Sequence, residues 1–430
     1  MKHFSLQLEA QSPLAIRADH AASGAGSAGY ISGTALVGSL ANVYRYYYPG
    51  DTATFERLFL NEQVHYPDLY PAVFKHEGMQ NANELPVYPL PKTAQSCKRF
   101  PGFYPMKDEE VDDERHGVRD SLLDWAMFAL GSKAKEAGQP IDTATLLKPL
   151  QEHKECQYHE CHKPMDHFTG YYRRASADGR MIKADVETRL QTHTGINRVT
   201  STVQEGILYN RQVFEEHMRF WGLVKLSDDL AAPFADFIEQ VGQTGLVRVG
   251  TGRTRGMGKV NLAIEPVQDE HYRFDQFKQR LETFSTTLRS LATQTFSDKA
   301  YDLGLKPFYF ALTLHSPVIL RDPLLRYRGI INEETLEELL HIPADNFQLR
   351  YQAASTRRVS GWNELWGTPR TNEYALDIGS VFLFGTTIEP INSLWQALFR
   401  LEEEGAGQRR TEGFGRICVS DPFHLEVTLK

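Results

Sequence analysis

The sequence predicts an α+β chain built from two copies of one unit in the order β-α-β-β-α-β, and three observations carry that expectation. First, the chain matches itself. Phe4, Leu6, Leu8, Ala10, Ser12, Pro13, Leu14, Ile16 and Arg17 recur at identical spacing as Phe308, Phe310, Leu312, Leu314, Ser316, Pro317, Val318, Leu320 and Arg321. Second, each copy closes alike, with a basic glycine-rich loop before a short apolar strand: 250–258 before 260–264, and 405–415 before 417–419. Third, the stretches between these ends can be parsed into the intervening strands and helices.

Taken in order, residues 3–11 place apolar side chains at every second position, and the Ser-Pro that follows ends the ladder because proline has no amide donor. Residues 33–48 read as a helix with Ser32 or Thr34 as cap and Leu36, Leu40, Val43 and Tyr47 on one face. Two strands near 205–226, a helix over 229–243 and a strand over 259–265 complete the first copy. Split βαβ, or ferredoxin-like, units have this order and pack two helices on one face of a four-stranded antiparallel sheet. In the second copy Asn392 can cap a helix whose apolar face is Leu394, Trp395, Leu398 and Leu401.

The first copy needs far more chain than the second to run from its Ser-Pro to its glycine loop. The difference implies an insertion of about 120 to 150 residues, too long for a plain loop. The expected organisation is a first domain from 1–60 plus 186–266, an insertion subdomain over 61–185, a polar and helical connection over 267–304, and a second domain over 305–430.

Composition narrows the function classes. Of 430 residues, 41% are hydrophobic and 24% charged, as in a soluble globular protein. No stretch approaches the roughly 18 uninterrupted apolar residues of a membrane span. The opening MKHFSLQLEA alternates where a secretory signal would run apolar, so a cytoplasmic location and no membrane partner are expected. Four scattered cysteines exclude a disulfide scaffold. A net charge of -8 argues against a chain coated in nucleic acid, but the charge is patterned. Residues 108–114 carry six acids and no base, whereas 245–262 hold Arg248, Arg253, Arg255 and Lys259 with no acid.

Three of the four cysteines, Cys97, Cys156 and Cys161, fall in the insertion. A segment thin in aliphatic residues gains from a cross-link, and structural Zn²⁺ supplies one. The spacing of Cys156 and Cys161 lies at the long edge of zinc-ligand spacing. His116 is the preferred fourth ligand over His153, His159 and His162. Four protein ligands leave no open position, so the expected zinc is structural. Cys418 reads as a core residue of its strand.

Glycine lets a backbone turn through positive φ and approach another chain closely, and interleaved arginines add cations beside exposed amides. A polyanion suits such loops, although their spacing is not that of a Walker loop. Single-stranded RNA adds a requirement for stacking surfaces, and residues 171–211 mix cations with rings.

The paired units, the segment Tyr30 to Leu40 opening the first helix and the basic glycine loops resemble the RAMP superfamily of CRISPR-associated proteins. More closely, Cys97, His116-Gly117, Cys156, Cys161, Pro164-Met165-Asp166, Thr192 to Arg198 and Glu205 to Tyr209 resemble the large Csx RAMP subunit of type III-D effector complexes. The resemblance implies a non-catalytic subunit of an antiviral ribonucleoprotein that holds the 5′ repeat-derived handle of the guide RNA (crRNA). Its partners would be the large polymerase-like subunit and RAMP backbone subunits, with target RNA met indirectly. Val37 stands where the family carries a basic residue, which removes one phosphate contact.

On this reading the RNA-binding candidates are Arg17, Gly33, Thr34, Arg173, Arg174, His193, Asn197, Arg198, Tyr209, Arg211, Gly252, Arg253, Arg255, Gly256, Arg409 and Arg410. Arg409 and Arg410 suit a neighbouring subunit equally well. The alternative is a metal-independent guide-processing endoribonuclease with His20 as general acid or base, or Asp19 in metal-assisted cleavage, both in the loop before the first helix.

Overall fold

The computed structural model describes residues 1–16, 29–73, 86–104, 115–158, 161–174, 181–197, 199–267, 270–296, 301–363, 367–389 and 392–427. Its two main sheets are antiparallel and are centred on the repeated segments. In the first, Lys2–Ala10 pairs with Val260–Pro266 on one side and Arg219–Leu226 on the other, and Val64–His65 and Tyr70–Pro71 both pair with the far edge of Arg219–Leu226. In the second, Phe308–Leu314 lies between Ile417–Val419 and Val381–Thr386, with Phe347–Ala353 outermost. Ranked by chain order, both sheets run fourth, first, third, second.

Alternation in Lys2–Ala10 turns Leu6, Leu8 and Ala10 toward the helices Gly33–Tyr47 and Ala231–Val241, and the three elements share one core with Leu36, Leu40, Phe234 and Ile238. Ser32 caps the first helix, its hydroxyl accepting from Ala35 N–H. In the second half the helices Glu333–Leu340 and Asn392–Glu404 cover Phe308, Phe310, Leu312 and Leu314 in the same way.

One strand expected near 205 is not in the sheet. Val203–Phe214 instead pairs with Thr188–Ile196 as a long hairpin standing off the first half. Its place at the sheet edge is taken by the two short pieces flanking Pro67, whose neighbours Val64, Tyr66 and Leu69 are fully buried.

The insertion contributes two three-stranded sheets, one with Ala94–Cys97 between Val118–Asp120 and Met165–His167, the other with Tyr171–Arg174 between Tyr88–Pro89 and Met181–Lys183. It also packs on the second half. The strand Phe308–Leu314 is buried on both faces: Tyr309 and Ala311, with Val381 and Leu383, meet Leu122, Leu123, Ala126 and Met127 of the insertion helix Leu122–Glu136 and Phe284 and Leu288 of the connecting helix Glu270–Thr295. The C-terminal turn reinforces the contact. Phe423 sits among Leu90, Phe103 and Tyr172, and His424 bridges Asp120 of the insertion (2.5 Å) and Thr313 of the second sheet (2.8 Å). Among the described residues no helix is long and apolar enough to cross a membrane.

Candidate metal centre and nucleic-acid interface

Cys97 ends the strand Ala94–Cys97, His116 precedes Val118–Asp120, and Cys156 and Cys161 lie in the loop after the helix Thr143–Glu152. The fold brings them together. One ligating atom from each lies within 4.8 Å of the others, with Cys156 Sγ 3.3 Å from His116 Nδ1 and Cys97 Sγ 3.8 Å from Cys161 Sγ. The loop is closed by Cys156 N–H donating to Lys163 O and Cys161 N–H to Tyr158 O. The His116 ring is held between Phe100 and Tyr158, with centroids at 4.5 and 4.3 Å. Gly117 has φ +87°, and a Cβ there would fall 2.5 Å from the Tyr104 ring.

Burial pushes the Cys156 thiol up to about 11. At Cys97 burial acts in the same direction, but N–H groups of Phe100 and Arg99 outweigh it and hold the thiol below its ordinary value. A buried set of three sulfurs and an imidazole can hold a metal ion, which would neutralise thiolates that burial otherwise disfavours. The other histidines weighed for this role have different partners or places: His153 meets Asp124 at 3.2 Å, His162 meets Glu155 at 3.8 Å, and His159 lies outside the described residues.

The first glycine loop is pinned by Thr251 N–H to Ala15 O (2.9 Å) and Gly258 N–H to Pro13 O (3.0 Å), so the Ser-Pro after the first strand holds the loop before the last. Between these anchors Arg253–Arg255 forms one turn flanked by Gly252 and Gly256, both left-handed. Gly256 faces open space. The long hairpin rises beside this turn. Arg255 donates to the Tyr209 hydroxyl, Arg211 to Thr251 Oγ1 (3.4 Å), and the His193 ring stacks on Tyr209 at 5.2 Å and 21° across the strands. His193, Tyr209, Arg211, Arg253, Arg255, Gly252 and Gly256 therefore form one solvent-accessible surface. Among the described residues no carboxylate pairs with Arg211 or Arg255. Asn197 lies at the hairpin end, where its Oδ1 accepts from Val199 and Thr200 N–H groups and shapes the turn.

The second loop is built on the same frame, with Gln408 N–H to Ile319 O (3.0 Å) and Gly415 N–H to Pro317 O (2.9 Å). It faces inward. Arg409 pairs with Glu373 (2.7 Å) and Glu412 (2.8 Å) and reaches Thr34 Oγ1, and Arg410 pairs with Glu62 (2.7 Å). A Cβ on Gly33 would lie 2.5 Å from Glu412 O, and Gly33 N–H already donates to Asp68 (2.8 Å). Gly33, Thr34, Arg409 and Arg410 thus occupy the seam between the two halves, and the first helix start is covered.

The seam continues across the back of the first sheet. Lys225 donates to the Glu402 and Glu403 carbonyls, His3 meets Glu403 at 3.0 Å, and Arg273 pairs with the same carboxylate.

Two further candidates lie in the second insertion sheet, Arg173 buried and Arg174 half-buried. Arg173 is 1% exposed, and desolvation lowers its pKa to about 10. Arg174 pairs with Glu426 at 3.2 Å. Arg17, Asp19, His20 and Arg198 lie outside the described residues.

No protein-family profile matches the chain, and no curated protein does. Among solved structures, a chain of the type III-B Cmr-beta complex bound to cognate target RNA and AMPPnP is similar at 12% identity and a TM-score of 0.37, covering 88% of this chain and 86% of that one. A Cas6 product complex is similar at 9% identity and a TM-score of 0.36, covering 97% and 99%. A type IV-B CRISPR complex is similar at 11% identity and a TM-score of 0.25, covering 62% and 92%. Likenesses this loose assign neither a family nor an activity.

Proposed function

We propose that this chain is a non-catalytic RNA-binding subunit of a type III CRISPR effector ribonucleoprotein, built from two ferredoxin-like RAMP units and a zinc-stapled insertion. The observation that carries the reading is the surface formed by the first glycine loop and the long hairpin. It combines open backbone at Gly256, the cations Arg211 and Arg255, and the stacked His193 and Tyr209 rings. Single-stranded RNA presents a phosphate chain to the first two and base faces to the third. The sequence resemblance to the large Csx subunit of type III-D complexes makes the 5′ handle of the guide RNA the preferred strand.

The purified full chain, incubated with labelled repeat-derived RNA in EDTA, is expected to retain the RNA intact. Cleavage that disappears in His20→Ala would overturn the non-catalytic assignment. The four-ligand cluster is proposed to hold one zinc, supplying a cross-link with no open coordination position. Elemental analysis should show that zinc lost in Cys156→Ser, and an unchanged metal content would refute the site.

A further inference from the structure

A second set of ligating side chains meets where the second sheet faces the insertion. Thr313 and Cys418 are cross-strand partners, and Ile417 and Val419 point into the core of the second half, so Cys418 points to the opposite face. There it lies half-buried beneath the insertion, on the face of the sheet away from Ile417 and Val419. His315 follows the strand Phe308–Leu314 and is fixed by its N–H donating to Arg416 O (2.9 Å). After Cys418 the chain turns sharply at Ser420, φ +51°, which returns Asp421 to the strand end. There Asp421 Oδ1 accepts from Phe423 N–H (3.0 Å) and Oδ2 lies 2.7 Å from His315 Nε2.

One ligating atom from each of His315, Cys418 and Asp421 lies within 4.8 Å of the others. The Tyr88 ring of the insertion sits 5.2 Å from the His315 ring. Two arginines are near, but each has a carboxylate of its own: Arg174 with Glu426 at 3.2 Å and Arg280 with Glu402 at 2.6 Å. The cluster belongs to the second half alone, because the repeat places Gln11 where His315 stands.

We infer that His315, Cys418 and Asp421 form a second binding site, for a divalent transition ion of the zinc type. One sulfur, one imidazole and one carboxylate suit zinc or cobalt rather than magnesium or calcium, which take all-oxygen shells. Binding releases the Cys418 thiol proton to solvent and moves the imidazole proton, by exchange with solvent, from Nε2, where it bonds Asp421, to Nδ1, so that Nε2 exchanges its hydrogen bond for a bond to the ion. A thiolate and a carboxylate then balance the charge of a divalent ion. Three protein ligands leave a fourth position open, unlike the closed cluster in the insertion.

The test uses the full chain, cobalt(II) as probe and zinc by elemental analysis. Two equivalents are expected in the parent protein, one in Cys418→Ser and one in Cys156→Ser; because this site has one sulfur ligand and the insertion cluster three, Cys418→Ser should lose about a quarter of the sulfur-to-cobalt charge-transfer band and Cys156→Ser about three quarters. His315→Gln serves as a second route should Cys418→Ser fold poorly, with the same single equivalent expected. A parent protein with one equivalent that Cys418→Ser and His315→Gln both retain overturns this site and leaves the insertion cluster standing. One equivalent lost in Cys418→Ser and kept in Cys156→Ser supports it and removes the other.

Discussion

Residues 250–258 and 405–415 hang from equivalent pairs of hydrogen bonds, to Pro13 and Ala15 in one half and to Pro317 and Ile319 in the other, yet they have opposite surroundings. The first turn meets the long hairpin, whose cross-strand side chains are imidazole, phenol and guanidinium. The second carries Glu412 within the loop and meets Glu373 and Glu62, so its arginines find carboxylates in the same chain. A duplicated basic loop therefore offers two uses of one charge. Left facing solvent it can attract phosphate, and surrounded by acids it joins domains.

The sharpest way to break this contrast is steric. Gly33→Val puts side-chain atoms against the Glu412 backbone, where even a Cβ is 2.5 Å from the carbonyl oxygen. Overpacking of that kind costs about 3 kcal/mol, and urea unfolding should show it. A wild-type midpoint would mean that the seam yields. Next in size, Arg409→Met removes charged hydrogen bonds at a side chain only 19% exposed, with an expected loss of about 2 kcal/mol and an unaltered salt slope for RNA. A flattened slope would show that the second loop also meets phosphate.

Arg211→Gln combined with Arg255→Gln should do the reverse. RNA affinity is expected to fall about tenfold and the salt slope by about 1 to 2, with unchanged unfolding. Filter binding at several salt concentrations reads both, and equal affinity and slope would remove this surface from the RNA path.

The smallest effect concerns pH. Burial opposes charge on Glu403, but the hydrogen bond from His3 and the charges of Lys225 and Arg273 outweigh it and hold the carboxyl well below the ordinary 4.5. Because the folded pKa is depressed, this stability is complete above about pH 4.5 and drains as pH falls below it. Glu403→Gln should flatten the acid limb of stability between about pH 5 and pH 3. An identical limb would place the acid sensitivity elsewhere.

Much of this arrangement is readable from the chain. The matched spacing from Phe4 and from Phe308 marks the centre of each sheet, because period-two apolar residues ending in Ser-Pro leave few alternatives. Cys97, His116, Cys156 and Cys161 are legible because thiols in a thin insertion have a chemical reason to meet. The edge strand around Pro67 is not legible, since two-residue pieces carry no period. Nor is the fate of Arg409 and Arg410, whose partners Glu62 and Glu373 are remote in sequence and give no local signal. Arg173 illustrates a different loss: a cation in a Tyr-Tyr-Arg-Arg strand reads as surface, but the second insertion sheet buries it.

The helix Leu122–Glu136 ends about 170 residues before the strand Phe308–Leu314 that it helps to cover. During synthesis this apolar helix must therefore wait for its partner, a long-range closure that is slow to form. A fragment beginning at the connecting helix would keep the cover of Phe284 and Leu288 but lose that of Leu122, Leu123, Ala126 and Met127 over Tyr309, Ala311, Val381 and Leu383, and would be prone to stick to itself there. Cutting this protein at its apparent domain border would thus leave the second half with one sheet face half covered.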